Sequence, residues 1–361
     1  VSAREEEILA DGFALMSALL QEGPGIELSQ RNQLPRGTDR VWQVQGDHYN
    51  GTVLVEVFER FTPRSVDRLI RNLSPDKLSL MNTSTVLVVA PWLSPRSREL
   101  ILERGWSYLD LTGNVFVRMP RPALYLRTPG AAEDPLPRPQ SDVQLRGSRI
   151  NALVRVLADV EPPYRLVDLT RATGLSAGYV SRALTALHDQ QLIDRAPAGA
   201  VEQVHWAALL RQRANEYDLF KNNRSATFLA RSSPVALLKQ LPKLDNEAVV
   251  TGSFAVPATE LIVAPAQLAL YVHSIPEFAA RAELMPTTSG ANVVLLEPSS
   301  PSQIDRPRLL EGIPYAGLSQ LVMDLLAGNG RLPEEGEALL EWMATDTSWR
   351  TGTLPDATPV A

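Results

Sequence analysis

The chain has 361 residues, 35 of them Lys or Arg against 41 Asp or Glu, and it contains no cysteine. That composition excludes a disulfide framework and a thiolate metal site, and 44% hydrophobic with 21% charged residues suits folded domains rather than a disordered chain. The longest apolar run, residues 86–93, falls far short of the ~20 needed to cross a bilayer, and Glu5, Glu6 and Glu7 stand where a secretory leader is basic. A cytoplasmic α/β protein of several domains, with no membrane partner, is expected.

In residues 4–20, Ile8, Leu9, Phe13, Leu15, Met16, Leu19 and Leu20 recur along one helical face, which Gly23-Pro24-Gly25 ends. Strand-like runs follow at 39–44 and 52–57, joined by a polar turn over 46–51. Thr62-Pro63 opens a helix to about Leu73, residues 85–90 read as a buried strand, Ser94-Pro95 caps a helix to Arg104, and residues 107–111 form another strand. Gly113-Asn114 supplies the positive-φ positions of a tight turn, with Asp110 as its anchor. Alternating helices and strands predict an α/β sheet.

The run V-L-V-E-V-F-E over 53–59 resembles the metal-binding strand of the PD-(D/E)XK nuclease superfamily. The resemblance implies a restriction-endonuclease-like α/β domain over 1–130, with Asp39 and Glu56 as the Mg²⁺ carboxylates. Where that family carries a lysine this chain has Phe58, which neither donates a hydrogen bond nor stabilises a developing charge. The domain is therefore expected to be inactive, with a Mg²⁺-dependent nuclease as the alternative. Glu56 also reads as a strand residue paired with Arg60, Arg64 or Arg68.

Four prolines over 128–140 mark a linker, placed at 131–145. Charge divides there too. Residues 1–145 hold 16 basic and 18 acidic groups, 146–215 hold 9 and 6, and 216–361 hold 10 and 17, so only the middle is basic. In that middle, Ile150, Leu153, Val154 and Leu157 define one amphipathic helix stopped by Pro162-Pro163. A second runs over 166–172. Gly174 then supplies a left-handed turn residue, Leu175 plugs the corner, and Ser176 caps a third helix that faces inward through Val180, Leu184 and Leu187. Residues 191–195 and 201–206 pair as a hairpin around Pro197-Ala198-Gly199.

This order of elements, with R-L-V-D-L-T-R-A-T-G-L-S-A-G-Y-V-S-R-A-L-T-A-L over 165–187, resembles the winged helix-turn-helix domains of bacterial transcriptional regulators. The resemblance implies double-stranded DNA as partner. Contacts are expected from Ser176, Tyr179, Ser181, Arg182 and Thr185 on the third helix and Arg195 in the wing, with Arg165 and Arg171 holding the backbone. A homodimer is expected, because a net charge of +3 gives few phosphate contacts to one copy.

Beyond 216, residues 247–255 read as a strand entering a Gly252-Ser253 turn and a helix, similar to the opening motif of the nucleotidyltransferase superfamily. The acidic pair that should follow is missing from 263–272, so metal-assisted phosphoryl transfer has no carboxylates there and Ser253 is read as a packing residue. A strand at 291–296, a helix at 318–326 and an acidic helix bearing Leu339, Leu340 and Trp342 complete a domain over 216–350, before a tail at 351–361. A winged helix joined to such a frame resembles the antitoxins of abortive-infection type IV toxin-antitoxin systems over residues 150–343. It also looks like multidomain winged-helix regulators of actinobacterial type. The first of these implies repression of the protein's own operon and a cognate partner protein. No catalytic residue and no cofactor is assigned.

Overall fold

The computed structural model describes residues 3–21, 26–30, 40–46, 49–73, 83–120, 123–132, 134–135, 147–245, 247–257 and 264–354. It is a mixed α/β protein built on two seven-stranded sheets and divided into two compact units, Val1–Asp142 with Asp189–Gln191, and Val143–His188 with Leu192–Ala361. Among the described residues no helix is long and apolar enough to cross a membrane. Asp39, most of the expected linker and the end of the tail lie outside the described residues.

In the first unit the sheet runs β1 (Glu27–Gln30), β2 (Arg40–Gly46), β3 (Tyr49–Val57), β4 (Thr83–Ala90), β5 (Ser107–Asp110), β6 (Val115–Met119), β7 (Leu124–Thr128), in that spatial order. Only the β3–β4 and β4–β5 pairs are parallel, with α2 (Ser65–Asn72) and α3 (Pro95–Glu103) lying in the crossovers between them, and the other neighbours pair antiparallel. β4 is buried on both faces, as its unbroken T-V-L-V-V-A run requires. Val86 and Val88 face α2 and α3. Leu87 and Val89 face α1 (Ala3–Gln21), which approaches so closely that a Cβ on Gly12 would stand 2.8 Å from Val89 Cγ1.

The second unit begins with α4 (Ser148–Asp159), α5 (Leu166–Thr173), α6 (Ala177–Asp189), the hairpin β8 (Ile193–Arg195) and β9 (Val201–Val204), and α7 (Trp206–Asn215). After the short α8 (Leu219–Asn222) come β10 (Arg224–Leu229), α9 (Pro234–Leu244), β11 (Val249–Thr251), β12 (Leu268–Tyr271), α10 (Ile275–Arg281), β13 (Met285–Pro286), β14 (Val293–Glu297), β15 (Arg308–Leu310), β16 (Ile313–Tyr315), α11 (Leu318–Leu326) and α12 (Leu332–Thr345). The sheet order is β13-β10-β14-β12-β11-β16-β15. One hydrophobic core runs from Ile150 to Met343, so the segments on either side of 215 fold as a single body.

Polar staples fasten the helices to that sheet. Arg155 on α4 is fully buried, donates to the carbonyls of Ser302 and Asp305 at 2.5 Å each, and reaches Asp159 at 3.4 Å. Arg350 caps the last turn of α4 through the carbonyls of Ala158 (2.9 Å) and Val160 (2.6 Å), which satisfies groups that a helix end leaves unpaired. The helix expected after Gly252-Ser253 is a single 3-10 turn, Gly252–Ala255. Pro257 accounts for that: the residue before a proline is driven out of the helical region, and Val256 sits at φ −69°, ψ 135°.

Candidate nucleic-acid interface

The turn between α5 and α6 forms from strictly local chemistry. Asp168 accepts from the Arg165 amide at 3.0 Å and opens α5. Gly174 ends it at φ 67°, a left-handed conformation that any side chain would strain, and its N–H bonds the Thr170 carbonyl. Leu175 is buried at the corner. The Ser176 hydroxyl accepts from the Tyr179 amide at a long 3.4 Å, and its carbonyl accepts from Val180 at 3.0 Å, starting α6.

α6 turns Val180, Ala183, Leu184 and Leu187 into the core with no exposed surface. Its other face carries Ser176, Arg182 and Thr185, all exposed, with Ser181 half-buried. The small residues Ala177 and Gly178 leave the start of that face low. Thr185 donates to the Ser181 carbonyl at 3.1 Å. Tyr179 lies half-buried against the core, so burial pushes its phenol above the usual range, while Arg149, Arg213 and Arg182 pull the other way. Arg165 and Arg171 are exposed on α5.

Two of those arginines were not legible as site residues. Arg149 is exposed in the first turn of α4, just before the apolar period starts at Ile150. Arg213 is buried, donates to the Gly147 carbonyl at 3.2 Å and stacks 5.0 Å over the Tyr217 ring. The only sequence signal for either was a basic residue at a helix end.

The hairpin stands beside these helices. Ile193 pairs with Val204 and Asp194 with Gln203, a bulge follows, and Gly199 at φ 88° closes the turn. Tyr164 adds a one-residue antiparallel bridge to Val201, which places the hairpin against the start of α5. Arg195 is half-buried and its Nε donates to the Gly199 carbonyl at 3.2 Å, so its side chain braces the turn. His205 and Asp194 pair at 2.9 Å at the hairpin base.

The two segments in which enzyme motifs were sought are filled differently. Glu56 is half-buried on β3, and Phe58 is buried in edge-to-face contact with Phe61, ring centroids 4.8 Å apart. The expected partner Asp39 lies outside the described residues, and no group of three or more His, Asp or Glu side chains suited to a metal occurs among the described residues. Asp110 accepts from the amides of Leu93, Thr112 and Asn114, the Thr112 hydroxyl and the Asn114 amide group, all at 2.6–3.1 Å, which makes it the anchor of its turn.

Behind Ser253, which is buried, sequence reasoning missed a polar core. Asp324 on α11 accepts from Thr251 (2.6 Å), Gln320 (2.7 Å), Tyr271 (2.9 Å) and Tyr217 (3.3 Å). Full burial pushes its carboxyl up to about 6, against the lowering effect of Thr251, Gln320 and the two tyrosines. Asn151 extends the network to α4 by donating to Gln320 at 2.9 Å. Comparison of the chain with protein-family models, curated proteins and solved structures finds no match.

Proposed function

We propose that the chain is a sequence-specific DNA-binding transcriptional regulator whose α6 enters a major groove, in the manner of a winged helix-turn-helix, with the β8–β9 hairpin as the wing. The observation that carries this reading is the division of α6 into a fully buried apolar side and an exposed side of small, hydroxyl and arginine residues, set at a fixed angle by the Gly174 turn. Small residues at the start of the helix permit close approach to base edges. Arg182, Thr185 and Ser176 offer groups that hydrogen-bond bases or phosphates, and Arg149, Arg165 and Arg171 supply positive charge around them.

Arg195 has a different part in this scheme. Its bond to the Gly199 carbonyl shapes the wing tip, and the hairpin backbone makes the approach to the duplex. The regulator acts as a homodimer, since a few phosphate contacts per copy give weak, salt-sensitive binding. It needs no catalytic residue and no cofactor. Pull-down of sheared genomic DNA by the full chain tests this. Enriched fragments sharing a two-fold repeat, with half-sites about 10 base pairs or a multiple apart, are expected. Recovery of DNA with no common sequence overturns sequence-specific regulation.

A further inference from the structure

The outer strands of the first sheet carry a second surface with the chemistry of a ligand site. β6 and β7 alternate strictly. Val115, Val117, Met119, Leu124 and Leu126 point into the core beneath α1, so Phe116, Arg118, Tyr125 and Arg127 point to the opposite face. On that face α2 and α3 cover the centre of the sheet, and Phe116 lies at the margin of their core. Arg118 and Arg127 are exposed and Tyr125 keeps 62% of its surface accessible.

Register sets these four residues in a lattice. Phe116 stands opposite Arg127 and also opposite Tyr108, while Arg118 stands opposite Tyr125. The rings form a ladder, Tyr108 to Phe116 at 6.0 Å and Phe116 to Tyr125 at 5.5 Å between centroids. Arg98 of α3 reaches its border, donating to Asn114 at 2.6 Å and lying close to Tyr108. Arg118 and Arg127 bring positive charge to this face, while Asp110, which Tyr108 also senses, is fully buried in its turn. Packing accounts for Phe116, which lies between Tyr108 and Tyr125 at the margin of the core. Tyr125 instead leaves most of its ring to solvent, beside two guanidinium groups.

We propose that this uncovered half-face is a platform for single-stranded DNA. Bases stack on Tyr125 and Phe116, and the phosphates between them pair with Arg118 and Arg127. The Phe116 and Tyr125 ring centres lie 5.5 Å apart on neighbouring strands, within the base-to-base reach of an extended single strand, and a duplex with its bases stacked inside offers nothing for the rings. Arg118 and Arg127 can donate to a ribose 2′-hydroxyl as readily as to a phosphate, so the choice of DNA over RNA rests on the function proposed above and is decided by the comparison of strands below.

Fluorescence anisotropy of the full chain with a labelled mixed-sequence DNA strand of about 20 nucleotides tests the proposal. Tyr125→Ala is expected to weaken binding about tenfold, and Tyr125→Phe to restore most of it. The double variant Arg118→Ala/Arg127→Ala should lower the slope of log affinity against log salt by about 1.4. Arg224→Ala, an exposed arginine of the second unit, should leave both values unchanged and so control for bulk charge. Arg118 and Arg127 point to solvent, so the double variant should keep the parent unfolding midpoint, and circular dichroism checks that Tyr125→Ala, which loses its ring contact with Phe116, remains folded at the assay temperature. Absence of binding at low salt overturns the proposal, as does unchanged affinity in the Tyr125→Ala and double-arginine variants, or tighter binding of the RNA strand of the same sequence.

Discussion

Among the described residues each unit buries one aspartate completely, and the two solve the same problem in opposite ways. Asp110 is satisfied by three backbone amides and two side chains, all from residues 93–114. Asp324 is satisfied by side chains alone, and the hydroxyls of Tyr217, Thr251 and Tyr271 come from positions 53 to 107 residues away. The first is a local turn that a short peptide pattern specifies. The second exists only after α11, two strands and the segment leading into α8 have assembled, so it reports on the integrity of the whole second unit.

The largest effect should come from the staple beside that network. Arg155→Ala deletes a fully buried charge, strips the Ser302 and Asp305 carbonyls of their donor and leaves Asp159 with one arginine fewer. A loss of about 3 to 5 kcal/mol is expected in urea unfolding of the second unit, with the first unit unaffected. Asp324→Asn comes next and is read through pH. The folded carboxyl is raised from the ordinary carboxylate range to about 6, so protonation favours the folded state. Its stabilising contribution is full below about pH 4 and is lost as pH rises through about 6, a swing of about 3 kcal/mol. The asparagine variant should lack that swing. Unfolding free energies of parent and variant at several pH values check it, and parallel curves would refute the assignment.

Asp110→Ala should cost about 1 to 3 kcal/mol in the first unit, from amides left without an acceptor. Ser176→Ala should cost only about 0.5 kcal/mol, the low end of the capping range, because its bond to the Tyr179 amide is long. Thermal unfolding resolves both.

The same contrast explains what was legible in the sequence. α4, α5 and α6, the Gly174 turn, the Ser176 cap and the hairpin are written in residues three to seven apart, and they appear where spacing predicts them. Asp110 as a turn anchor was legible for the same reason. β13, β15 and β16 were not, since each has only two or three residues, and neither was the six-residue β10, which buries only Phe228; all four are made strands by distant partners rather than by their own alternation. Helix α11 was visible as a helix, but Gln320 and Asp324 within it read as ordinary polar positions until the tyrosines opposite them were in place. Phe116 and Tyr125 likewise carried no signal alone, because the register of β6 against β7 is what sets them side by side.

The central claim is that the exposed side of α6 reads a duplex, and Arg182 tests it most directly. The affinity of the full chain for a duplex recovered by pull-down, measured with and without Arg182→Ala, should fall by about 1 to 3 kcal/mol with the unfolding midpoint unchanged. Equal affinity of the folded variant for that duplex would contradict the account.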